Sequence, residues 1–125
     1  DAAIADSVAK SAGQDVVVVT TMKAWSTDTD PTGGQRKLVA ALQATGIPIV
    51  VVAVRDPYDI AYLSGVSTYL ATYSYSPVAI ESAVRVIVGE VAPTGKLPVG
   101  FHEHRHGAVT AIVGAVAAGP LLAAS

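Results

Sequence analysis

Two runs of β-branched residues interrupt the chain without polar alternation, VVVVTT at 16–21 and IVVVAV at 49–54. A strand that alternates apolar and polar positions has one wet face; a continuous run is covered on both, as in a parallel sheet. A third strand is expected at STYLATY, 67–73. Helical spacing fills the intervals. AAIADSVAKSA, 2–12, sets Ile4 four residues before Val8 and closes at Gly13; GQRKLVAALQATG sets Leu38, Val39 and Leu42 on one side and closes at Gly46. VAIESAVRVIVG, 78–89, is expected to turn Val78, Ile80, Val84 and Ile87 to the core. At VAVRDPYDIAYL, 52–63, Asp56 suits an N-cap and Pro57 the first helical position, where a missing N–H costs nothing.

Strands alternating with helices over short connections imply right-handed crossovers and helices on both faces of the sheet. The expected fold is therefore α/β, a three-layer α/β/α sandwich around a mostly parallel sheet. With 125 residues the chain has room for one ordinary domain, and a hydrophobic content of 51% against 14% charged argues for a packed core. Eight basic and ten acidic residues lie scattered, without the basic stripe that phosphate backbones require, so nucleic acid is not an expected partner. The absence of cysteine excludes disulfides and thiolate metal sites. No initiator Met, basic region or long apolar segment opens the chain, so no signal peptide is visible; it reads as a piece of something longer, and its compartment stays open.

After Val99 the pattern breaks. All three histidines fall in His102-Glu103-His104-Arg105-His106, where alternating imidazoles on extended backbone would share one side; His102, His104 and His106 are weak metal candidates, since Arg105 interrupts them and nothing nearby closes the shell. Ala108 to Ala124 is apolar but rich in Ala and Gly and broken by Pro120, at the short limit for a bilayer span. Membrane insertion is not expected. A loosely packed helix, or a tail outside the fold, is. The expected division is 1–99 as the domain and 100–125 as a His-rich, then Ala/Gly-rich tail.

In an open parallel sheet, ligands and partners meet the loops at the carboxyl ends of the strands. That rim comprises Thr21 to Gly33, Arg55 to Tyr58 and Tyr73 to Pro77, with Trp25, Arg55, Asp56, Tyr58, Tyr73 and Tyr75 as the residues suited to a carbohydrate or an interdomain interface. A guanidinium at a strand end forks onto carboxylates or hydroxyls, or pairs locally with Asp56 or Asp59. Aromatic rings with polar tips suit a surface half apolar and half wet.

Three stretches in order, DVVVVTTMKAW, QRKLVAALQATGIPIVVVAVRDPYDIAYL and STYLATYSYSPVAIESAVRVIVGEVAPTGKLPV, resemble the C-terminal domain of family 3 glycoside hydrolases, particularly the bacterial β-N-acetylglucosaminidase branch. GEVAPTGKLPV at 89–99 is the most specific phrase and VAVRDPYDIA the second. The resemblance implies an α/β sandwich that packs on a catalytic (β/α)-barrel preceding it. That barrel carries an aspartate nucleophile and a histidine acid/base signed by a Lys-His-Phe-Pro-Gly-His phrase, which has no counterpart here. The implied role is an accessory, non-catalytic domain with the barrel as partner, carbohydrate as a candidate at the rim, and no cofactor. The resemblance departs after Val99, where Gly100-Phe101-His102 leads into the tail.

Other branches of the resembled family place a glutamate acid/base in this domain, which makes the rim acids Asp28, Asp30, Asp56 and Asp59 the candidates for that role. Asp28 and Asp30 read as solvated or turn-forming, Asp56 as a cap, and Asp59 as a first-turn acid complementing a helix dipole. An independent small α/β ligand-binding module remains an alternative, though Gly33-Gly34 lacks dinucleotide or P-loop spacing. A degenerate gene fragment is the third reading.

Overall fold

The computed structural model describes residues 1–93 and the backbone of two strands at 109–112 and 115–118. The elements run α1 (Ala2–Ser11), β1 (Val17–Thr21), α2 (Gly34–Ala44), β2 (Ile49–Ala53), a 3₁₀ helix (Pro57–Tyr62), β3 (Tyr69–Ala71), α3 (Pro77–Ile87), β4 (Val109–Ile112) and β5 (Ala115–Ala118). They form one sheet in the order β1-β2-β3-β5-β4. β1, β2 and β3 are parallel, with Val19 opposite Val51 and Val51 opposite Tyr69; β5 and β4 join antiparallel beyond β3.

The uninterrupted valine runs are covered on both faces at the centre of the sheet, as their lack of alternation requires. On one face Val19, Val51, Ala53, Tyr69 and Ala71 meet Val39 and Leu42 of α2 and Ile60 of the 3₁₀ helix, with Val8 of α1 alongside. On the other, Val50, Val52 and Leu70 meet Ala83 and Val86 of α3. The fold is the three-layer α/β sandwich.

Two expectations are corrected. Val78 and Val84 do not face the core: they are exposed, and Ala79, Ala83 and Val86 are the buried positions of α3. Both sets have helical spacing, and the smaller residues win because a Cβ-only side chain lets the helix axis approach a sheet face already filled by Val50, Val52 and Leu70. Nor do the described parts of the tail form a helix. Residues 109–112 and 115–118 are strands, paired to each other and to β3, whose outward backbone groups would otherwise lack partners. The histidine cluster lies outside the described residues.

Glycine marks the ends of the helices. Gly13, Gly46 and Gly89 follow α1, α2 and α3 at φ 79°, 77° and 81°, the left-handed region that only glycine enters without steric penalty. The helices stop at the glycines that the sequence pattern predicts.

Candidate functional site

The loops leaving β1, β2 and β3 gather at the carboxyl end of the sheet. Between β2 and β3, Asp56 is the N-cap of the 3₁₀ helix, accepting from the Tyr58 N–H at 3.3 Å. The same Oδ1 accepts from the indole Nε1–H of Trp25 at 3.0 Å. One carboxylate oxygen thus ends a helix and holds the indole of another loop. Tyr58 meets that indole edge-on, the ring centroids 6.4 Å apart and the planes at 89°. Lys23 Nζ lies 5.3 Å from the Trp25 ring centroid, within cation–π range.

Asp59 works one turn further in and is fully buried. Its Oδ2 accepts from Thr21 Oγ1 at 2.6 Å and its Oδ1 from the Ala24 N–H at 2.8 Å. Burial pushes its carboxyl above the usual range, opposed by the bonds from Thr21 and Ala24 and reinforced by the nearby Asp56 charge. A raised carboxyl is what a general acid needs. Here both oxygens face inward on the β1 loop, so the group ties two loops together and presents no oxygen to a substrate. Sequence reasoning placed Asp59 in the first helical turn and missed this; the cue available was the short Thr21 side chain at the end of the neighbouring strand.

Backbone strain sits at the same place. Among the described residues Lys23 and Tyr73 are the two non-glycines at positive φ, 50° and 58°, a conformation that costs about 1 kcal/mol or more for a residue with Cβ. One follows β1 and the other follows β3. Burial raises the Tyr73 phenol, and Tyr58 adds to the effect. Beneath them Tyr69 is fully buried and donates its hydroxyl to the Pro57 carbonyl at 3.1 Å.

Of the residues proposed from sequence, the structure joins Trp25, Asp56 and Tyr58 by direct contact, and Tyr73 lies within electrostatic reach of Tyr58. Tyr75 is 70% exposed and stands apart. Arg55 is exposed, and the ion pairs among the described residues are Lys10–Asp6 and Arg85–Glu81, so of its two readings the local pairing with Asp56 or Asp59 is not formed there. Asp28 is exposed; Asp30 is buried and accepts from the Gly34 and Gln35 N–H groups at 2.7 and 3.0 Å, capping α2. The exposed rim is a fixed aromatic platform with Lys23 against it and Arg55 without an ion-pair partner among the described residues.

Residues 1–117 match the glycosyl hydrolase family 3 C-terminal domain. A putative beta-xylosidase from Formosa agariphila is 39% identical over 72 residues, which is 56% of this chain and 10% of that protein. A beta-xylosidase from the same organism is 36% identical over 76 residues, 59% of this chain and again 10% of its own length. A solved fungal multi-domain family 3 beta-N-acetylglucosaminidase, which also contains a glucosamine N-acetyltransferase region, superposes with a TM-score of 0.66 at 35% identity. It covers 75% of this chain, and the match spans 10% of that structure. The chain thus corresponds to about a tenth of the length of each of these relatives.

Proposed function

Because this chain belongs to the glycosyl hydrolase family 3 C-terminal domain family, we propose that it serves as the accessory, non-catalytic wall of a β-N-acetylglucosaminidase. On this reading a catalytic barrel docks on the rim, with Trp25, Tyr58 and Tyr73 as the packing surface and Arg55 reaching for a carboxylate or a sugar hydroxyl at the seam. The observation that carries it is how the rim acids are used. Glycoside hydrolysis needs two carboxyl groups, or an equivalent pair, facing a bound sugar. Asp56 is engaged by the Trp25 indole and the Tyr58 amide, and Asp59 is buried under Thr21 and Ala24. Both acids fix the aromatic platform in place, which supports a binding wall and leaves acid/base chemistry to a partner.

Specificity for N-acetylglucosaminides is supported by the resemblance of GEVAPTGKLPV and VAVRDPYDIA and by the fungal structure. A β-xylosidase parent is the second reading, favoured by the two Formosa agariphila relatives. The test adds the full chain to a separately produced family 3 β-N-acetylglucosaminidase barrel and follows release of nitrophenol from the N-acetyl-β-glucosaminide and the β-xyloside. The expected result is no turnover by the chain alone and a rise in turnover of the N-acetylglucosaminide on mixing. That rise should shrink for Arg55→Ala and Trp25→Ala. Turnover by the chain alone would refute the accessory role, and a rise confined to the xyloside would move the specificity to the second reading.

A further inference from the structure

The chain leaves β1 through Met22, Lys23, Ala24 and Trp25, and side chains from elsewhere in the fold hold that stretch. Gln35, in the first turn of α2, grips Met22 by both backbone groups: its Oε1 accepts from the Met22 N–H at 2.8 Å and its Nε2 donates to the Met22 carbonyl at 3.0 Å. Asp59 accepts from the Ala24 N–H at 2.8 Å. Asp56 accepts from the Trp25 indole at 3.0 Å. Between the first two anchors stands Lys23, at φ 50°.

The φ and ψ of a residue are the rotations of its two flanking peptide planes about its Cα. The plane before Lys23 carries the Met22 carbonyl, which Gln35 holds; the plane after it carries the Ala24 N–H, which Asp59 holds. In that second plane the Lys23 carbonyl also accepts from the Ser26 N–H at 2.9 Å. Fixing both planes fixes the dihedrals between them. Asp59 cannot do this alone, because the plane before Lys23 would still be free to turn. The left-handed region is costly for a residue with a Cβ, and such a conformation persists only where its surroundings over-determine it. Elsewhere the chain meets this need with glycine, at Gly13, Gly33, Gly46, Gly65 and Gly89; Lys23 and Tyr73 are the non-glycines at positive φ among the described residues. A glycine at position 23 would relieve the strain, but it would also remove the ammonium that lies 5.3 Å from the Trp25 ring centroid.

We infer that Gln35 is a positioning residue for the rim: acting through the Met22 backbone, it holds Lys23 in the left-handed conformation and so sets the Lys23 ammonium against the Trp25 indole. Its use rests on the reading of the rim as a docking wall, since a surface already fixed in its bound arrangement has less side-chain and loop freedom to lose when a partner meets it. The geometry itself belongs to this chain alone and is testable without the barrel.

A positive φ brings the amide proton of a residue close to its own Hα, so in spectra of the full chain both Lys23 and Tyr73 should give a strong intraresidue amide–Hα NOE. Gln35→Ala should lose that signal at Lys23 and keep it at Tyr73. Trp25 is the chain's single tryptophan, and in the same variant its emission should shift and its quenching by acrylamide increase. Gln35→Glu can still accept from the Met22 N–H, but its ionised carboxylate cannot donate to the Met22 carbonyl. It should therefore behave as Gln35→Ala does, although an acid in the first turn of a helix favours stability. The matched control is Gln43→Ala, which removes another α2 amide bonded to a loop carbonyl, Nε2 to Ser64 at 3.1 Å; it should leave the Lys23 and Trp25 signals unchanged. On mixing with the barrel, both Gln35 variants should shrink the rise in turnover and Gln43→Ala should not. A Lys23 NOE that survives in folded Gln35→Ala would overturn the inference, as would equal changes in Gln43→Ala. A wild-type mixture without any rise in turnover would refute the docking reading instead, while the Lys23 signal of the chain alone still decides for or against the role of Gln35.

Discussion

Two neighbouring carboxylates, Asp56 and Asp59, do different work because one is at the surface of the rim and the other beneath it. Asp59 has no exposed surface, and burial dominates its raised affinity for a proton. The sign of its pH effect follows from linkage. The folded pKa lies above the unfolded value of about 3.9, so the contribution to stability is complete below that value and is lost as pH rises through the folded pKa. Asp59→Asn removes the titration yet can still accept from Ala24 and donate to the Thr21 hydroxyl. Thermal unfolding of both proteins across acidic to neutral pH should show the wild type losing ground to Asp59→Asn as pH rises above about 4. Asp59→Leu keeps the bulk but orphans the Thr21 hydroxyl and the Ala24 N–H, and should cost about 2 kcal/mol or more in denaturant melts. Asp56→Ala should cost about 1 kcal/mol through the lost cap and shift Trp25 emission to the red as the indole loses its anchor.

Helix ends and helix faces decide matters at the scale of elements. α2 has Gly33 at its N-cap and no side chain bonding from that position; Asp30, three residues earlier, satisfies two of its first amides. Replacing Asp30 by Ala should lower stability by about 1 kcal/mol, read as an earlier unfolding midpoint in urea with an unchanged slope. On α3 the buried alanines set the distance to the sheet. Ala83→Leu should cost about 1–3 kcal/mol by overpacking, while Val84→Lys, on a side chain 51% exposed, should change stability by about 0.5 kcal/mol or less. The opposite ranking would be expected if the larger valines faced the core, so the pair tests which side of α3 packs.

The whole molecule is a sheet of three parallel strands extended beyond β3 by an antiparallel pair. The rim lies at one end of the same sheet, where strained residues hold an aromatic surface outward. A partner that binds only the folded state must raise its stability by mass action. Saturating catalytic barrel should therefore raise the unfolding temperature of the chain and protect Trp25 from acrylamide quenching. Both effects should be reduced for Arg55→Ala and Tyr58→Ala.

Strands 16–21 and 49–54, the helix stops at Gly13, Gly46 and Gly89, and the Asp56-Pro57 helix start were legible in the sequence because each rests on local chemistry: β-branching, freedom at positive φ, a side-chain cap and a fixed proline ring. The family was legible from the phrases at 52–61 and 89–99. What tertiary structure decided were choices between locally equivalent options. Valine and alanine stripes on α3 have the same period, and only the filled sheet face selects alanine. An acid in a first turn reads as dipole complement until the fold brings Thr21 and Ala24 to it across more than thirty residues. The segments at 109–112 and 115–118 became strands because β3 had backbone groups to satisfy, a demand that arises only once three strands stand side by side.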